Sequence, residues 1–147
     1  MDPDRVAELE RRLEHQFRDR ELLARALTHA SYANEHPPLG HNAGLALLGD
    51  AALALVVAER LLATDPDVPV GVVTPERARI VSSANLARWA IALELGGLLR
   101  LGRGEEQTGG RERESVLATG LEAVLGALYL EGGVDTVRRA VGRLAVW

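Results

Sequence analysis

Residues 42–63 form a run that is apolar on nearly every side of a helix, with charges only at Asp50, Glu59 and Arg60. A surface helix shows one apolar stripe against a polar face. This pattern therefore predicts a helix buried in its own core or against a second subunit. A second run, residues 115–130, carries Glu122 as its only charge. Apolar residues make up 47% of the chain but aromatics only 3%, so Leu, Val, Ala and Ile must fill the core. Such small, strongly helix-forming side chains favour closely packed helices. The first apolar run is interrupted by Asp50 and Glu59, short of the ~20 residues a bilayer span needs, so no membrane partner is expected.

Residues 4–14 read as an amphipathic helix with Val6, Leu9 and Leu13 on one face, and Phe17 is expected to plug the turn after it. Asp19 is a plausible N-cap for a helix over 21–28. Residues 29–41, with Asn34, Pro37, Pro38 and Gly40, read as a loop. The long apolar helix over 42–63 follows, ended by the two prolines of 65–71. Thr74-Pro75-Glu76 predicts a helix start, with an acid in its first turn. That helix should run to about Glu94 and stop at Gly96-Gly97. Residues 98–113 look like a loop, 115–130 a helix closed by Gly132-Gly133, and 134–146 a last amphipathic helix. No strand-like alternation of useful length appears. The chain is expected to be one all-α domain over residues 1–147.

The net charge is −4, and all 17 basic residues are arginine. That balance argues against holding nucleic acid by bulk electrostatics and leaves room only for local basic patches. With no cysteine there is no disulfide, thiolate nucleophile or thiolate metal site. The first residues show no secretory pattern, and a cytoplasmic location is expected. His29, His36 and His41 sit in or beside one loop, at a spacing that does not suit zinc.

Asp50 and Glu122 each place a carboxylate inside an otherwise apolar helix, where an unpartnered charge is costly or shifts its pKa. The segments around them, HNAGLALLGDA at 41–51 and SVLATGLEA at 115–123, resemble two motifs of the ribonuclease III family. In that family these usually read N-E-R-L-E-F-L-G-D-A and S-I-L-A-D-x-x-E-A. Residues 22–35 resemble the family's second helix and loop, and 101–106 with 109–111 resemble its connecting loop. The resemblance implies the all-helical ribonuclease III endonuclease-domain fold, dimerising through the signature helix. It also implies hydrolysis of an RNA phosphodiester by water on Mg²⁺ or Mn²⁺ held by four carboxylates. Positions 46 and 50 are four apart and 119 and 122 three apart, so each pair shares a helix face. Crossing the two helices would make a hard oxygen site suited to Mg²⁺.

The chain departs from that pattern where the chemistry sits. Ala46 and Thr119 stand where the family has Glu and Asp, leaving Asp50 and Glu122 as the remnant catalytic and metal-binding pair. Ala43, Gly44 and Leu47 also differ from the signature, and Val72 stands where a further acid is often found. His41, Glu35 and Glu59 are the candidates in sequence for substitute ligands. The sequence therefore predicts an impaired or inactive homodimer that binds double-stranded or structured RNA, with weak metal binding or none. A separate double-stranded RNA-binding domain is not expected, so Arg100, Arg103, Arg111 and Arg113 would supply the RNA contacts. Two alternatives stay open. One is a working Mg²⁺-dependent endoribonuclease; the other is a scaffold or heterodimer subunit without RNA chemistry.

Overall fold

The computed structural model describes residues 1–145 and is built from helices. In chain order these are α1 (Pro3–Leu13), α2 (Arg20–Ala26), α3 (Ala30–Glu35), α4 (Ala43–Thr64), α5 (Val70–Ile80), α6 (Ser83–Ala92), α7 (Arg103–Gln107) and α8 (Glu114–Leu144). Among the described residues there is no strand. One isolated parallel bridge ties Thr28 to Arg100.

Local chemistry accounts for most helix ends. The Asp2 carboxylate accepts the Asp4 backbone N–H at 3.0 Å, and Asp19 accepts that of Leu22 at 3.0 Å, so both acids cap their helices. Phe17 is buried behind α1, edge-on to His15. Residues 29–41 are not all loop: α3 forms there, with the His29 ring accepting the Ser31 N–H at 3.1 Å in the role of N-cap. The predicted helix over 74–94 is two helices. Ser82 caps α6 through the Asn85 N–H, and the Asn85 amide donates back to the Ile80 carbonyl at 2.7 Å. α5 starts a turn earlier than Thr74, at Val70, and carries Pro75 inside it. Residues 98–113 likewise contain α7 and a 3-10 turn at Gly110–Glu112.

α4 and α8 form the centre of the molecule, and their crossing sets everything else. Gly49 and Gly126 face each other there. A Cβ on Gly49 would lie 1.7 Å from the Glu122 carbonyl oxygen, and one on Gly126 would lie 2.1 Å from that of Leu45. Only glycine at both positions lets the two backbones approach so closely. Leu53, Val57, Leu121, Val124, Leu125 and Leu128 bury their side chains fully around this contact. α8 is long and apolar enough to cross a membrane, yet its apolar residues fill the protein core. It kinks at Gly133 (φ 73°, ψ −166°), at the glycine pair expected to separate two helices. The end of the last predicted helix, at Val146, lies outside the described residues.

α4 keeps its all-round apolarity in the fold. One face is core; the other leaves Leu47, Leu55 and Leu62 exposed, with Leu47 at 75%. Val70 and Val72 of α5 are exposed as well.

Candidate functional site

The glycine contact brings the backbone of Glu122 against Gly49, and so sets the Glu122 side chain beside Asp50. The two carboxyl groups lie within hydrogen-bonding reach of each other, and among the described residues no cation forms an ion pair with either. Glu122 is half-buried, and its pKa is pushed up to about 7. Burial is the largest cause, followed by the charge of Asp50 and the hydrogen bond to it. Near neutral pH Glu122 is therefore protonated part of the time. Asp50 itself is exposed rather than buried as its apolar helix suggested: it sits at the rim of the crossing. Ala46 is buried one turn before Asp50, and Thr119 lies partly buried one turn before Glu122. Both lie on the faces that carry the acids, and neither can supply a carboxylate.

The donor set is thus two carboxyl groups, of which Glu122 resists ionisation. Mg²⁺ can be held by one or two carboxylates with waters and substrate phosphates, but a two-metal clamp needs more anionic oxygen than this pair offers. Among the described residues, no three His, Asp or Glu side chains converge as metal donors. The four-carboxylate site that the resemblance implies does not fit these residues.

The other acids and histidines named from the sequence are engaged elsewhere. Glu35 accepts the Arg103 backbone N–H at 3.0 Å, fixing the start of α7. Glu59 pairs with Arg138 at 2.8 Å, and His41 accepts the Ala43 N–H at 3.3 Å. The half-buried His29 ring is held below the usual imidazole range by burial, then by Arg113 and His41.

The four arginines expected to meet RNA divide into two kinds. Arg111 binds Glu106 through two nitrogens and the carbonyls of Gly96 and Leu99 at 2.9 and 2.6 Å. Arg113 binds Glu105 and the Thr108 carbonyl. Both hold the 98–113 segment in shape. Arg103 is exposed at the start of α7, and Arg100 stacks near Tyr32, with Cζ 5.6 Å from the ring centroid. A cavity of about 770 Å³ opens between α1 and the turn at Leu95–Gly97 and includes neither Asp50 nor Glu122.

Sequence reasoning missed a third carboxylate of structural note, Glu131. The Glu131 side chain accepts the backbone N–H groups of Arg18 at 3.1 Å and Asp19 at 2.7 Å, and meets His15 Nε2 at 2.7 Å. Burial works to raise its pKa, but the Asp19 N–H, His15 and the Arg18 N–H outweigh it and hold the carboxyl below its usual range. The Gly132-Gly133 pair after it was the only signal in the sequence.

Comparison with known proteins agrees with this architecture. The ribonuclease-III-like family model matches residues 19–146. The chain is 51% identical to Ribonuclease 3 of Streptomyces coelicolor over 136 residues, covering 92% of this chain and 49% of that protein. It is 47% identical to Ribonuclease 3 of Heliobacterium modesticaldum, covering 95% of this chain and 60% of that one. The chain thus spans about half to three-fifths of these relatives' length. Two solved structures of the nuclease domain of ribonuclease III from Campylobacter jejuni superpose with TM-scores of 0.88 and 0.89. They are 36% and 35% identical, covering 95% and 98% of this chain and 94% of each of theirs. A family model matched over most of the chain, with identities near one half and a shared helical fold, places this chain in the ribonuclease-III-like family.

Proposed function

We propose that this domain is a catalytically impaired member of its family that binds double-stranded or structured RNA as a homodimer. The observation that carries the reading is the α4–α8 crossing: it presents two carboxylates, Asp50 and Glu122, with Ala46 and Thr119 where the resemblance implies two more. Loss of an outer-sphere partner alone costs about 10–100-fold in metal affinity or activity. Two lost ligands should together cost roughly 10²–10⁴-fold if they act independently, which such residues seldom do. The dimer rests on the exposed Leu47, Leu55 and Leu62 stripe of α4, continued by Val70 and Val72. The Campylobacter nuclease domain has a region involved in dimer formation, which supports the same arrangement here. A cytoplasmic location accompanies this reading.

The test is to incubate the pure chain with a long RNA duplex and Mg²⁺ or Mn²⁺, beside the double variant Ala46→Glu, Thr119→Asp. The chain as it stands should leave the duplex intact while retarding it in a gel. The double variant should cut. Turnover by the unmodified chain at the restored variant's rate would overturn the proposal, as would a well-folded double variant that binds RNA and stays inert.

A further inference from the structure

Among the described residues, one buried side-chain nitrogen or oxygen has no hydrogen-bond partner: Nε of Arg100. Arg100 makes no ion pair either. Its backbone is fixed firmly. The Arg100 N–H donates to the Leu27 carbonyl at 2.7 Å, and its carbonyl accepts the His29 N–H at 3.0 Å, on either side of the bridge to Thr28. Tyr32, near the guanidinium, stacks on His36 with centroids 4.0 Å apart. The chain thus holds a planar cation in one place and gives it no acceptor.

Arg100 lines a cavity of about 530 Å³ together with Arg25, Thr28, Leu39 and Gly40. Arg25 Nε donates to the His41 carbonyl at 3.2 Å, and its guanidinium lies over Gly40, where a Cβ would come within 3.1 Å of Cζ. Arg25 also takes part in no ion pair. Asp19 and Glu21 line the same cavity, but the Asp19 carboxylate is engaged in capping α2, and neither acid pairs with Arg25 or Arg100. Taking a guanidinium out of water without an acceptor is costly, and its rigid fork of N–H donors matches the oxygens of phosphate.

We propose that the Arg25–Arg100 cavity is a phosphate-binding site, in which the terminal guanidinium nitrogens of Arg100 donate to phosphate oxygens, with the stem anchored behind them at the buried Nε, and the Arg25 guanidinium provides a second positive wall. The site itself stands on its own geometry; only the donor of the phosphate, an RNA ester or free inorganic phosphate, rests on the RNA-binding reading.

Thermal unfolding of the whole chain tests the site, with inorganic phosphate exchanged for chloride at constant ionic strength. The unmodified protein should gain melting temperature as phosphate rises, because a ligand bound only to the folded state stabilises it. Arg100→Met, which keeps the packed aliphatic stem, should melt normally in chloride and lose the gain; Arg100→Lys should keep part of it. An equal gain in the wild type and Arg100→Met overturns the site, and if Arg100→Met does not fold, Arg25→Gln is read in the same way. Duplex RNA titrated across salt identifies the source. With RNA as donor, Arg100→Met should weaken binding about tenfold and lower the salt slope by roughly one phosphate. Unchanged RNA affinity with a lost phosphate gain assigns the site to free phosphate. A chain that binds no RNA but keeps an Arg100-dependent phosphate gain sinks the RNA-binding reading and leaves the site standing.

Discussion

Glu122 and Glu131 sit on the same helix, α8, and their surroundings drive them in opposite directions. Glu122 faces another carboxylate across a glycine-tight crossing, and its pKa rises to about 7. Glu131 is met by two backbone N–H groups and an imidazole, and its carboxyl is held below the usual range. One acid is stabilised as an anion because the fold supplies donors; the other is burdened as an anion because the fold supplies a like charge. A carboxylate retained against its own stability invites a functional explanation, whereas a satisfied one explains itself by the segments it joins.

The comparison can be broken most forcefully at the frame that holds both acids. Gly126→Ala should destabilise the fold by about 3 kcal/mol, since the new methyl overlaps the Leu45 carbonyl and α4 must move away. Urea unfolding reads this directly, and a neutral outcome would mean that the crossing is looser than described. Next in size, Glu131→Ala should cost about 2 kcal/mol at neutral pH, because the Arg18 and Asp19 N–H groups lose their acceptor.

The smaller effects lie in pH. For Glu122 the folded pKa of about 7 exceeds the ordinary 4.5, so the native state holds the proton more tightly than the unfolded chain. Its penalty is absent below pH 4.5 and grows as pH rises toward 7. A fully shielded group would give about 3 kcal/mol, and solvent at this half-buried site reduces that to about 1 kcal/mol. Glu122→Gln should remove the decline in stability between pH 4.5 and about 7, as followed by denaturant midpoints. Glu131 has the reverse sign: with its folded pKa lowered, its contribution is present above 4.5 and fades as pH falls through the folded value. Glu131→Gln should therefore flatten the acid limb and leave the neutral one unchanged. Matching slopes from the two variants would end the distinction between them.

These two acids also mark the limits of sequence reading. Asp50 and Glu122 were visible because each interrupts an apolar helix within a motif that can be matched. Glu131 was not, because its partners, Arg18 and Asp19, are more than a hundred positions away in the chain. The span of α4 was predicted to within a residue from its composition alone. α3 was overlooked because six residues carry no clear period and histidine is an unusual cap. The break between α5 and α6 depends on the Asn85 N–H donating to Ser82 Oγ and the Asn85 amide donating to the Ile80 carbonyl, which no periodicity announces. Glycine at 49 and 126 could be read in the sequence, but not that each meets the other helix's backbone.

The contacts that secure α1 have a dynamic consequence. Arg12 reaches the Ala92 carbonyl at 2.6 Å and Glu94 at 3.1 Å, while Glu14 meets Arg143 at 2.9 Å. These exposed links, with Glu131 behind them and Val6, Leu9, Leu13 and Phe17 buried beneath, make the first eighteen residues a clasp closed over the core. Amide hydrogens in that clasp should exchange with deuterium in a cooperative opening well below global unfolding, while those at the centre of α4 wait for the whole domain to come apart.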